Sequence, residues 1–199
     1  FTSWSWNLLG LSFAMSGYIA YTAASEGMDP PSPWFLRIAL LMYETAAPQT
    51  LLVSAVVRYA IWPRVLAGTG DTKDLRHPRT LLWHNANSAI ALLEAAFLGG
   101  LPVLMSHVAI APMFGIAYIL FSWVMAPYWR PDCGPQFIYF FMDTTLGKGN
   151  AIAIMILLMV LMVFYGLFAI ASTLLAGSGI LAHAFFVFAL CALVFRFND

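Results

Sequence analysis

Continuous apolar runs, rather than strict alternation, dominate this chain. Mostly apolar positions cover Trp4 to Ala24, Trp34 to Trp62, Arg79 to the Gly99-Gly100 pair, Leu101 to Met125, Ala151 to Leu175 and Ile180 to Phe195. A helix rises about 1.5 Å per residue and the hydrocarbon core of a bilayer is about 30 Å thick, so about 20 such residues cross it. The first five runs reach that length; the last is shorter and fits a thin region or continues past Gly179. Barrel strands alternate over about ten residues and are excluded by runs this long and continuous. Unpaired peptide groups cannot face lipid, so each run is predicted to be a helix. The expected fold is all-α: a polytopic membrane helical bundle of about six transmembrane helices, one domain over 1–199.

Composition sharpens this picture. Of 199 residues, 62% are apolar and only 9% are charged, against about 25% in ordinary soluble domains. A soluble enzyme of usual surface, a disordered chain and a nucleic-acid binder with a basic face are all excluded. The formal net charge is +0, so no overall field recruits an acidic partner. The placement of charge is more informative than its sum. Arg58, Arg64, Lys73, Arg76, Arg79, Arg130, Lys148 and Arg196 fall on one side of a six-span arrangement, and Arg37 alone among the basic residues falls on the other. That asymmetry puts both termini on the Lys/Arg-rich, cytoplasmic or equivalent side. Trp4, Trp6, Trp34, Trp62, Trp83, Trp123 and Trp129 stand at span ends, as interfacial anchors do. The opening stretch lacks a basic n-region and its apolar run is too long for a signal peptide, so it is expected to be a retained helix. Cys133 and Cys191 form no disulfide framework.

Polar residues inside the spans need a partner or a purpose, because a charge in the membrane costs at least about 2.5–3.5 kcal/mol. Glu44 lies near the middle of the second span, four residues before Pro48. It is either a hydrogen-bonded carboxyl that joins two helices or a proton or substrate site. The third span carries His84, Asn87, Ser88 and Glu94 along one helical stripe. Glu94 reaches the depth at which Arg37 enters from the opposite end, so an Arg37–Glu94 ion pair is expected. His84, beside Trp83 at the basic interface, suits general-base work or the capping of a helix carbonyl. His107 and His183 stand alone on apolar faces, as interhelical hydrogen-bonding groups or as single axial ligands to haem or another pigment. No His pair or Glu-x-x-His has metal-site spacing, so no metal is expected. No nucleophile elbow, phosphate loop or dinucleotide fingerprint occurs either.

The stretch Leu82-Trp83-His84-Asn85-Ala86-Asn87-Ser88, followed by an apolar run and Glu94, resembles the His-x-x-Asn-Ser-type segment of the androgen-induced-gene-like membrane hydrolases. That family includes the invertebrate rolling-stone proteins. Pro112-Met113-Phe114-Gly115-Ile116-Ala117-Tyr118 is similar to the family's Pro-x-aromatic-Gly-x-x-Tyr helix, and Phe1-Thr2-Ser3-Trp4-Ser5-Trp6 to its Trp-bearing entry into an early helix. The resemblance implies an intramembrane hydrolase for fatty acid esters of hydroxy fatty acids, with a Thr nucleophile and a His base. His84 matches the base, with Asn87 as its orienting neighbour. The family's Thr, counted about four residues past the entry Trp, falls on Leu8 or Gly10, which have no hydroxyl. Ser5 and Ser12 are the nearby substitutes.

Three readings follow. The first is a hydrolase-like bundle that is catalytically idle and serves as an accessory or scaffold subunit of a larger membrane assembly, respiratory or photosynthetic. The second is an active lipid-ester hydrolase using His84. The third is a transporter or proton relay using Glu44 and Glu94. All three imply membrane lipids as partners, with lipid bound between helices and no dedicated cofactor. The first adds other membrane subunits.

Overall fold

The structure is a computed structural model that describes residues 2–98, 101–137 and 139–199. Among these residues it is all-helical, without strands. Helix α1 spans Thr2–Ala24. Helix α2 spans Pro33–Gly68. Its start is fixed by Ser32, whose hydroxyl accepts from the Phe35 N–H at 3.3 Å, and by Pro33 in the first turn. Helix α3 runs over 78–97 as Pro78–Leu81, Leu82–Ala86 and Asn87–Phe97. The Gly99-Gly100 pair expected at its end lies outside the described residues, as does Phe1. Helices α4 (Ile110–Trp129), α5 (Lys148–Leu175) and α6 (Ile180–Val194) complete the bundle.

Three helical stretches are long and apolar enough to cross a membrane: Pro33–Gly68, Met105–Trp129 and Lys148–Leu175. They carry large apolar side chains on the outside, among them Met155, Met159 and Leu174 on α5. Such a surface is at home in hydrocarbon and costly in water. One expected boundary moves. The run from Leu101 does not begin as a helix: residues 101–104 are irregular, Met105–His107 form a 3-10 turn, and α4 starts at Ile110. Pro102 has no N–H to give to a helix, and Glu44, described below, takes up the Leu104 N–H instead.

Helix α2 is the centre. From Tyr43 to Ala55 nearly every side chain is buried, and the helix touches α1, α3, α4, α5 and α6. The core around it draws Leu9 from α1, Leu92 from α3, and Leu161, Tyr165 and Phe168 from α5. Helices α4 and α5 approach closely at Gly115, where a β-carbon would lie 2.5 Å from Leu161 and 2.8 Å from Leu158. Only glycine fits there without displacing those side chains.

After α6 the chain turns back across the ends of α2 and α3. Arg58 donates to the carbonyls of Ala192, at 2.6 Å, and Phe195. Tyr59 donates to Leu193 at 2.5 Å. Asp199 accepts from Thr72 at 2.7 Å and from the Trp62 indole at 3.0 Å. Those hydrogen bonds, with the charges of Arg76 and Arg196 nearby, hold the Asp199 carboxyl below the usual carboxylate range. A lowered folded value means that its contribution to docking is present above the ordinary carboxylate range and is lost as pH falls through the lowered value. At neutral pH, Asp199→Asn should therefore loosen the tail, read as faster amide exchange over 195–199 with global unfolding temperature unchanged.

Candidate functional site

Two helices change pitch at the end of the bundle where the tail docks. Val57–Ile61 in α2 and Leu82–Ala86 in α3 are π-helical. A π turn shifts the i→i−4 ladder by one residue and leaves backbone groups to be satisfied from outside, which is why such turns recur at functional sites. Here the partners are supplied by neighbours. Ser54 on α2 donates to the carbonyl of His84. It also lies 2.6 Å from Ser88, which in turn donates to the Thr50 carbonyl at 2.7 Å. These hydroxyls tie α2 to α3. The Trp6 indole donates to the Trp83 carbonyl at 2.8 Å and Asn85 to the Arg196 carbonyl at 3.2 Å. The backbone around His84 is therefore held from α1, α2 and the tail at once. Its ring is left free: Nδ1 is buried and has no hydrogen-bond partner.

The ring borders a cavity of about 440 Å³, within the size range of ligand pockets. Leu52, Val56 and Ile61 from α2, Leu157 from α5 and Phe141 and Met142 from the preceding loop give it apolar walls. Its polar lining comes from Thr2, His84, Arg64, Tyr118 and Tyr139. Trp4 fixes the start of α1 against α4, with its ring 5.4 Å from Tyr118, edge-on, and 4.8 Å from Phe121. The loop wall is held by Trp123, which donates to the Met142 carbonyl at 2.9 Å, and by Asn150, which donates to the Phe141 carbonyl at 2.6 Å.

The residues singled out in the sequence fall in several places. Ser5 is buried and its hydroxyl has no partner. Ser12 donates to Leu9 in its own helix at 2.8 Å. Neither is hydrogen-bonded to His84. Asn87 is fully buried; its Oδ1 accepts from the Ser88 N–H at 2.8 Å and its amide nitrogen has no partner, so it does not orient the His84 ring. Arg37 and Glu94 are not brought together. Arg37 lies over the Trp34 ring at 5.2 Å, and no ion pair within 4.0 Å joins it to Glu94 among the described residues.

Glu44 is wholly buried and joins helices: Oε1 accepts from the Leu104 N–H at 2.7 Å, and Oε2 lies 2.8 Å from Nδ1 of His107. Tyr165 closes the same corner by donating to the Leu104 carbonyl at 2.9 Å. His183 has both ring nitrogens against carbonyl oxygens, Ala96 at 2.6 Å and Leu175 at 2.9 Å, and ties the ends of α3 and α5 to α6.

Sequence reasoning missed Thr2, Arg64, Tyr118 and Ser54. Thr2 was legible: it stands one helical turn before Ser5, hence on the same face. Arg64 and Tyr118 reach the cavity through the packing of α2 and α4, which no spacing announces.

Compared with known family models, curated proteins and solved structures, the chain matches none. Its site is therefore judged on its geometry.

Replacing Glu44 tests the corner it holds. Glu44→Leu should destabilise the protein by about 1–3 kcal/mol, since the Leu104 N–H would be left unpaired in an apolar setting. Glu44→Gln retains an oxygen acceptor and should cost less. Thermal unfolding in detergent should rank wild type above Gln and Gln above Leu.

Proposed function

We propose that this protein is an intramembrane hydrolase of fatty-acyl esters, with Thr2 as nucleophile and His84 as general base. The observation that carries the reading is that Thr2 and His84, whose Nδ1 has no hydrogen-bond partner, line one apolar cavity. Covalent catalysis needs such a pair within one site, and the idle-scaffold reading arose from the lack of one at Leu8 or Gly10. The resemblance to the androgen-induced-gene-like hydrolases points the same way and supplies the substrate class, fatty acid esters of hydroxy fatty acids.

In this reaction the Thr2 oxygen attacks the ester carbonyl while His84 takes the hydroxyl proton. The carbonyl–alkoxy bond breaks, and His84 returns the proton to the departing alcohol. Water, deprotonated by the same ring, then attacks the acyl-threonine; the acyl–oxygen bond breaks, the ring returns the proton to the Thr2 oxygen, and the fatty acid leaves. Arg64 and Tyr118 reach the same cavity and are the groups to hold the charge that develops on the carbonyl oxygen. The apolar walls receive the acyl chain and exclude bulk water.

The membrane arrangement that goes with this reading has six crossings, α1, α3 and α6 joining the three long apolar stretches, and both termini on the basic side. The reaction would then run at that interface, where a lipid ester carbonyl sits.

Two experiments test the reading. Hydrolysis of a fluorogenic long-chain acyl ester in nanodiscs should fall by about 10²-fold or more in Thr2→Ala and in His84→Ala, with Thr2→Ser retaining measurable turnover. Full turnover by a folded Thr2→Ala would remove Thr2 as the nucleophile, and no hydrolysis by the wild-type protein would remove the hydrolase reading and leave the scaffold one standing. For topology, a membrane-impermeant maleimide should label the exposed Cys133 only from the basic side. Ser25→Cys in a Cys133→Ser background should label only from the other.

A further inference from the structure

The wall that α2 gives to the cavity beside His84 is regular in a way that an uninterrupted α-helix would not be. Its lining residues come in adjacent pairs at four-residue intervals, Leu52-Val53 first and Arg64-Val65 last. An α-helix turns once in about 3.6 residues, so each four-residue step over-rotates by about 40° and the three steps from Leu52 to Arg64 by about 120°. A stripe of that period would wind away from the cavity. The π turn at Val57–Ile61 lies inside the stripe. A turn closed i→i+5 takes up one extra residue and sets the helix back by about 100°, which nearly cancels the drift. One face of α2 is thereby kept on the cavity over about 20 Å.

The slot so formed has a direction. From Leu52 to Ile61 its α2 wall carries only aliphatic side chains, and Arg64 then brings a positive charge toward the basic end. Leu52, Gly115 and Leu157 are the lining residues of α2, α4 and α5 farthest from that end, and they make the floor. Val56 and Ala60 are exposed, so the slot opens sideways and a chain can enter from the bilayer.

A straight aliphatic wall that ends on a cation matches an unbranched fatty acid. An extended aliphatic chain advances about 1.2 Å per bond, a third of the rise of an extended residue, so about fifteen bonds reach from Arg64 to the floor. A carboxylate beside a guanidinium gains a charge-assisted contact. Lipid tails are as apolar as the slot, so the choice between them rests on that charge and on close packing along the wall. A kinked chain leaves the wall and forfeits those contacts.

We propose that the slot binds a straight-chain fatty acid of about sixteen carbons, with its carboxylate at Arg64 and its chain laid along α2 to the Leu52 floor. The role of that ligand rests on the hydrolytic reading above: the fatty acid is the product of the reaction, and its retention slows turnover.

The probe is stearic acid with a mid-chain diazirine and a terminal alkyne, added to the full chain in phosphatidylcholine nanodiscs. Labelled peptides should fall within 52–65 and 139–157. Elaidic acid, whose double bond is trans and leaves the chain straight, should compete about tenfold more strongly than its bent cis isomer, oleic acid. Palmitic acid should compete about tenfold more strongly than its uncharged methyl ester. Arg64→Gln should erase the difference between acid and ester, and Arg64→Lys should retain it. Equal competition by the two isomers, equal competition by acid and ester, or labelling spread evenly over the outer face of α5 each overturns the proposal. Should Arg64→Gln fail to fold, the two comparisons on the wild-type chain decide. Photolabelling does not require turnover, so the two readings can fail separately. Ester hydrolysis with no preference between the isomers would remove the slot and keep the hydrolase, and trans-selective labelling without hydrolysis would do the reverse.

Discussion

A carboxyl group with no exposure to solvent sits at the middle of this protein, and the arrangement of the bundle follows from what it must bind. Glu44 cannot remain alone in an apolar interior, where an unsatisfied polar group costs several kcal/mol. It is satisfied by the Leu104 N–H and by His107, two groups that are available only because the chain between α3 and α4 does not enter a helix at once. Irregular backbone at membrane depth is tolerated where protein covers it. Glu44 on one side and Tyr165 on the other provide that cover. The carboxyl and the broken stretch are thus each other's solution, and they fix α2, α4 and α5 relative to one another.

The same logic operates at the basic end with backbone rather than side-chain groups. The π turns in α2 and α3 leave carbonyls to be satisfied, and Ser54, Ser88, Asn85 and Trp6 join three helices and the tail around them. The result is a rigid backbone carrying an imidazole that has been given no partner. Rigid support under an unengaged polar group is what a site that must act on a ligand needs, because the ring pays no reorganisation when the ligand arrives. Arg58 and Tyr59, bonded to the last turn of α6, and Asn85, bonded to Arg196, extend the support to the tail.

The bundle therefore treats its polar groups in two ways. Glu44, His107 and His183 are satisfied within the protein and hold helices together. The Nδ1 of His84 is not, and that residue borders the cavity that Thr2 also lines.

Much of the helical plan was legible in the sequence, because the length of an apolar run and its neighbouring Pro and Gly residues are local properties. Helices stand where the runs beginning at Trp4, Trp34, Arg79, Ala151 and Ile180 predict them, and the Ser32-Pro33 start of α2 follows from short-range capping. Local chemistry also marked His84, Glu44 and Glu94 as costly residues in need of an explanation. Which partner each one found was decided only in three dimensions. Arg37 and Glu94 make no contact, since position along each helix says nothing of azimuth. Thr2 and His84 border one cavity because α1 packs on α2 and α3 with a rotation that no spacing encodes, and the late start of α4 reflects a carboxyl sixty residues earlier in the chain. Sequence fixes what must be buried; packing alone chooses what it is buried against.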